Sequence, residues 1–290
     1  MVKFTYLSER GDSLSLIGND RFKMTNFDGQ TEAKGKLASV LIGNSDGDTL
    51  NNIFAQPRTI VIDLLILDDN VEAVKREILN VVKLKQKGVI EWEQESKLLR
   101  IEGVVEAVEM PRWTKKAVMQ ITLHCSQPFW EDAEKIIQEV QEFLNLHYFT
   151  NYRNDMLYFP AEGIPFGAID TTKRRAINNT GDVSVGLEIV ITALGTVTNP
   201  IIYADNGRFF GIGHGTGVKK VVMSEGDAIV ITTGKDNKTV LLNGVNMLGK
   251  IKPSSTWLQL EAGENTFAVD SDEHEPSNMT FTLSYKRRYI

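Results

Sequence analysis

The apolar positions follow two periods, and where each one rules divides the chain. Between residues 71 and 82 the apolar residues Val71, Val74, Ile78, Val81 and Val82 recur at three- and four-residue intervals, which lines them along one side of a helix. Asp68, Asp69 and Asn70 offer N-caps. Lys83, Lys85 and Lys87 crowd the far end, where the helix dipole favours cations, and Gly88 follows as a stop signal. A second run, Ala133, Ile136, Ile137, Val140, Phe143 and Leu144, predicts another helix, opened by Glu131 and Asp132. Both are one-sided, so each is expected to cover a sheet or an interface.

The remainder alternates as strands do. Residues 60–67 form a short β-branched run ahead of the first helix. Residues 91–95 and 98–108 predict an antiparallel hairpin turning at Ser96-Lys97, and residues 118–124 alternate again. Strands around a helix without a regular βαβ rhythm indicate α+β rather than a doubly wound sheet. After the second predicted helix the composition changes, with 15 of the 23 glycines lying in residues 161–290. Short alternating runs recur there at 187–192, 201–204, 218–223, 229–233, 240–243, 266–269 and 279–285. Turn pairs such as Gly181-Asp182, Asn206-Gly207, Gly226-Asp227 and Asn243-Gly244 separate them. About eight such strands make an antiparallel sandwich or jelly roll. The expected organisation is a first domain over 1–130, a helical connector over 131–160 and an all-β domain over 161–290.

Charge and cysteine content narrow the function. The 290 residues carry 32 basic and 38 acidic side chains, net −6, which argues against a basic nucleic-acid groove or an anionic membrane surface. One cysteine excludes a disulfide scaffold and a zinc ribbon. No run approaches the ~20 apolar residues of a membrane helix. The first six residues lack the apolar stretch of a signal peptide, so a water-soluble chain made in a cytoplasm is expected.

Candidate chemistry is sparse. Cys125 adjoins His124, but strand neighbours point to opposite faces, so no nucleophile–base pair forms. Residues 44–48 begin like a calcium loop, yet Thr49 and Ala55 stand where glycine and glutamate are required. The acidic stretch 270–275 with His274 reads as a solvated turn. Residues 211–217 (GIGHGTG) place Thr216 where a dinucleotide loop needs its third glycine, and no helix follows. Glu91, Glu93 and Glu95 share one strand face that is expected to face water. No catalytic, metal or cofactor site is expected.

The order of pieces in the second half resembles one family. Asn179-Thr180-Gly181-Asp182, Asn199-Pro200, Gly226-Asp227, Asn243-Gly244 and the run Ser255-Thr256-Trp257-Leu258-Gln259-Leu260-Glu261-Ala262-Gly263-Glu264-Asn265 look like the C-terminal domain of the distal tail protein family of long-tailed, non-contractile bacteriophages. Asp28-Gly29, Arg58-Thr59-Ile60, Gln127-Pro128-Phe129-Trp130 and Tyr158-Phe159-Pro160 agree over the first half. The resemblance implies an N-terminal β-sandwich with one helix and a β-hairpin, whose six copies close into a ring. It implies a C-terminal galectin-like sandwich outside that ring. Tail tube protein above, a tail-associated hub or lysin protein below, and receptor-binding proteins at the side are the partners implied, at the virion tail tip. Expected ring contacts are the 91–108 hairpin and the loop holding Arg112, Trp113 and Lys115. The alternative reading, a carbohydrate-binding module, would use Arg208, Phe209, Phe210, His214 and Trp257. A glycoside hydrolase ranks last because no carboxylate pair stands out.

Overall fold

The computed structural model describes residues 2–31, 33–41, 43, 46–95, 97–112, 116–140, 143–144, 152–153, 156–157, 168–169, 174–235, 237–274 and 278–290. The chain forms two compact units, Met1–Glu134 with Arg288–Ile290, and Lys135–Arg287. Its last three residues thus return to the first unit instead of ending the second. There Trp130↔Tyr289 and Glu131↔Arg288 pair as strands, and the Arg288 guanidinium meets the Glu131 carboxylate at 2.6 Å.

The first unit contains β1 (Val2–Ser8), β2 (Ser13–Ser15), β3 (Phe22–Asp28), β4 (Gly35–Leu41), β5 (Asp48–Ala55), β6 (Arg58–Ile66), α1 (Val71–Val81), β7 (Lys87–Gln94), β8 (Lys97–Arg112), β9 (Val118–Cys125) and β10 (Trp130–Asp132). One antiparallel sheet runs β2-β1-β7-β8-β9-β6-β3, with β10 beside β8. Alternation sets its inner face: Ile60, Ile62, Leu64 and Ile66 of β6 are buried while their neighbours are not. β1 and β3 lie five strands apart in this sheet, about 24 Å at ordinary strand spacing. Yet the Phe4 and Phe27 rings stack at 4.8 Å, so the sheet curls until its ends face each other. That closure is the sandwich. Phe4 also stacks on Trp92 at 5.7 Å, and Trp92 meets Trp130 at 5.6 Å, which carries the aromatic core across the fold.

Helix α1 forms where its periodicity places it. The Asn70 side chain accepts from the Ala73 amide, and Val74, Ile78 and Val82 enter the core. Arg21, preceding β3, binds Asp68 at 2.9 Å and also Glu77, tying the helix to the sheet. The stop signal read at Gly88 is corrected: the helix ends by Val82, Lys85 takes the left-handed turn (φ 65°), and Gly88 lies inside β7.

The helical connector is also corrected. Ile136–Val140 is a strand paired antiparallel with Met279–Tyr285, from Ile136↔Tyr285 to Val140↔Phe281. Three β-branched residues at the edge of a sheet gain ladder hydrogen bonds that a helix with one half-buried face would not match. Ile137, which a helix would place on the apolar stripe, is 63% exposed. Phe143–Leu144 is likewise strand, while most of 141–160, with Tyr158, Phe159 and Pro160, lies outside the described residues.

The second unit is an antiparallel sandwich. One sheet of six strands runs Ile136–Val140, Met279–Tyr285, Glu188–Ala193, Ala228–Gly234, Asn237–Leu242, Val245–Asn246. The facing sheet of four runs Arg174–Asn179, Gly263–Asp270, Ile201–Ala204, Phe209–Gly211. Ile189, Ile191, Ile229, Ile231, Phe267 and Phe281 fill the space between them.

Candidate assembly surface

An arm leaves the first unit between β3 and β6. Strands β4 and β5 pair only with each other, from Gly35↔Ala55 to Leu41↔Asp48, and a bulge between Ala38 and Ser39 shifts the register. Leu37 pairs with Ile53, and beyond the bulge Leu50 pairs with Ser39, which shares its face with Leu37 and Leu41 as alternate residues of one strand, so Leu37, Ile53, Leu50 and Leu41 form one apolar stripe. These four are 63%, 58%, 50% and 79% exposed. A two-stranded ribbon with an uncovered apolar face has little stability of its own.

The root of the arm is by contrast tightly built. Arg58, 4% exposed, donates to the carbonyl oxygens of Gly29 (3.2 Å) and Gln30 (2.8 Å), and the Trp130 indole donates to Gln30 at 2.8 Å. A side chain at Gly29 (φ +82°) would meet the Thr59 carbonyl oxygen at 2.3 Å, so only glycine passes. A cleft of about 290 Å³, lined by Asp28, Lys34, Gln56 and Arg58 among others, opens beside this root. The sequence reading missed the arm, although its alternation and the Gly-rich turn at 43–47 carry the hairpin pattern.

Of the expected ring contacts, Arg112 ends β8 with its backbone paired to Val118. Its side chain, with Trp113 and Lys115, lies outside the described residues. The β7–β8 hairpin forms with its turn one residue earlier than read, Gln94↔Lys97 closing it. Its carboxylates do not simply face water. Glu93 binds Lys3 at 3.0 Å and Glu91 binds Arg100 at 2.5 Å.

The five residues expected for glycan contact do not converge. Phe210 is 1% exposed and packs on Trp257 at 4.8 Å in the core, because alternation turns it inward when Phe209 turns out. Arg208 pairs with Glu261 at 2.9 Å. His214 sits in the glycine loop, its amide bonded to the Lys219 carbonyl. That loop is structural. Asn199, 1% exposed with φ 49°, accepts from the Val221 amide at 2.9 Å, and its Oδ1 fills the space a Gly213 side chain would need.

Asn199 Nδ2 also donates to Asp272 at 2.7 Å, and Lys252 Nζ reaches the same carboxylate at 3.2 Å, while Asp270 holds His274 at 2.9 Å. Burial pushes the Asp272 carboxyl up, but the hydrogen bonds from Asn199 and Lys252 and the charges of Lys252 and His274 outweigh it and hold it below the usual range. A depressed folded value adds stability above the ordinary carboxylate range and loses it as pH falls through the folded value. Asp272→Asn is therefore expected to cost about 1 kcal/mol at neutral pH and to flatten the acid side of the stability curve, measured by thermal melts from neutral pH downward. An unchanged acid side would mean the contact carries no weight.

Reactive groups are muted. Cys125 is fully buried beneath Gly103, and burial raises its thiol to about 12 against the lesser pull of Arg58. It stays protonated at neutral pH, while His124 points out to solvent. Among the described residues no three His, Cys, Asp or Glu side chains gather as metal ligands. No helix of the described residues is long and apolar enough to cross a membrane.

The first unit is thus a curled sheet with an apolar arm, and the second an antiparallel sandwich. Residues 180–289 match the family model of the siphovirus-type tail component, C-terminal domain. The fold as a whole is that of the SPP1 Dit protein, described as a paradigm of the hub adsorption apparatus in phages infecting Gram-positive bacteria. The two share a TM-score of 0.66 and 14% identity over 99% of each chain. A chain of the phage p2 baseplate in its activated conformation aligns over 100% of both chains with 9% identity and a TM-score of 0.49. A sequence search among curated proteins found no match.

Proposed function

We propose that this chain is a hub subunit at the distal end of a siphophage tail, its first unit closing with further copies into a ring, sixfold by the resemblance. The ring joins the tail tube to a tail-associated hub or lysin protein. The second unit stands available to adsorption proteins. Assembly takes place in the bacterial host cytoplasm.

The tail-component match over residues 180–289 carries this reading, and the arm gives it a physical basis. Ring closure needs two different patches on each subunit, because a head-to-tail contact repeats around an axis instead of pairing one patch with itself. An apolar stripe on an arm that reaches away from its own core is suited to be one of them, with a neighbouring copy supplying the other. The test is negative-stain microscopy together with light scattering on the full-length protein. Closed rings are expected. A strict monomer at the highest soluble concentration, and no ring when tail tube protein is added, would count against the proposal.

A further inference from the structure

The outer face of the four-stranded sheet has a relief that follows from its register. Arg174↔Ala268, Ala268↔Tyr203 and Tyr203↔Phe209 are directly paired, so these four side chains stand in one row across the sheet. The row faces outward: Phe267, Val269 and Phe210, the alternate positions, are buried in the core. Ala268 therefore lies at the bottom between two tall walls. Arg174 forms one wall. Tyr203, 40% exposed, forms the other, with the Phe209 ring tilted against it at 6.3 Å. Two strand spacings put these walls about 10 Å apart.

The floor runs on along the strand through Thr266, which is half-buried. In the other direction it is stopped where Lys252 lies over Gly211 and binds Asp272. Asp270 holds the exposed His274 imidazole at this closed end.

We propose that this trough binds a saccharide, a single pyranose ring lying between Tyr203 and Arg174 with Ala268 beneath it. The chemistry is complementary on each side. A pyranose presents a face of C–H groups that packs on an aromatic ring, and an edge of hydroxyls that both donate and accept hydrogen bonds. Tyr203, backed by Phe209, supplies the aromatic wall. Arg174 supplies donors and Asp270 an acceptor. The small floor is what makes room: any longer side chain at position 268 would occupy the ring's place. This assignment concerns the second unit alone and holds whether or not the first unit closes into a ring. It also differs from the cluster read in the sequence, of which Phe209 alone stands on this face.

The experiment is saturation-transfer NMR on the full-length protein with methyl glucoside, galactoside, mannoside, rhamnoside and N-acetylglucosaminide as probes. At least one is expected to bind with a Kd of about 1 mM, an affinity usual for one ring in an open site. Saturation should be strongest at its axial C–H protons. Tyr203→Ala and Ala268→Gln should each weaken binding about tenfold, the first by removing the wall and the second by filling the floor. Both positions are on the surface, so melting temperature and ring formation should match the parent. Should either variant fold poorly, Arg174→Gln tests the opposite wall with the same expected loss. Silence from all five probes overturns the proposal. So does binding that persists unchanged in the well-folded variants, since the sugar then lies elsewhere.

Discussion

Replacing Leu37, Leu41, Leu50 and Ile53 by lysine is expected to abolish self-association and leave the folded subunit intact. The two halves of this expectation have separate causes. None of these side chains contributes to the subunit core: each is at least half exposed, and the arm pairs with no other strand. The first unit should thus melt as the parent does. In an assembly, burying what is now exposed would contribute about 1 kcal/mol or somewhat more per side chain, from roughly 25 cal/mol per Å². Four together give about 5 kcal/mol, or more than a thousandfold in the association constant of one contact. Four ammonium groups would also have to be desolvated without partners. Sedimentation or light scattering over a concentration series reads the shift directly. If the fourfold variant assembles at the parent's concentrations, the arm is not the contact.

Gly88→Ala is expected to lower the stability of the first unit by about 3 kcal/mol and leave the second untouched. A Cβ at this position would come within 2.3 Å of the Tyr6 hydroxyl oxygen and 2.4 Å of two ring carbons. Tyr6 cannot step aside. It is 1% exposed, on a strand whose register against β7 runs unbroken from Val2↔Gln94 to Ser8↔Gly88. Overpacking of this kind forces either an off-rotamer ring or a backbone shift, which sets the scale of the loss. Because the two units have separate cores, calorimetry should resolve two transitions, with the first unit's midpoint falling by about 10 °C. The cause can be isolated by a double-mutant cycle. On a Tyr6→Leu background the ring is gone, and Gly88→Ala should cost far less. Equal costs on both backgrounds would show that the glycine is needed for some other reason.

Gly88 also illustrates how a correct residue was assigned the wrong role. Following a helix and three lysines, it carried the usual mark of a C-terminal stop. What makes it glycine is an aromatic ring from a strand more than 80 residues earlier, and no local pattern reports that. The helix predicted from Glu131 to Leu144 failed similarly. Ile136, Ile137 and Val140 fit a helical stripe as well as a strand, and the partner that decides between them, Met279–Tyr285, comes more than 140 residues later. Within the glycan cluster, Phe210 was read one residue out of phase. Phe209 and Phe210 cannot both face out, and only the sheet register tells which one does.

The sequence by itself determined the local and repetitive features. Helix α1 with its Asn70 cap, the β7–β8 hairpin, the mostly antiparallel strand content and the glycine-punctuated second half all follow from periodicity and turn chemistry acting over a few residues. The ordered series of pieces between Asn179 and Asn265 pointed to a tail component before any fold was known. Only the tertiary structure decided which features depend on distant pairing: the curling of the first sheet onto itself, the return of Arg288–Ile290 to the first unit, the arm with its rigid Arg58 root, and the trough over Ala268. Each of these is set by contacts between residues far apart in the chain. Such contacts form only where backbone hydrogen bonding and core packing jointly favour them, so no window of neighbouring residues contains the information.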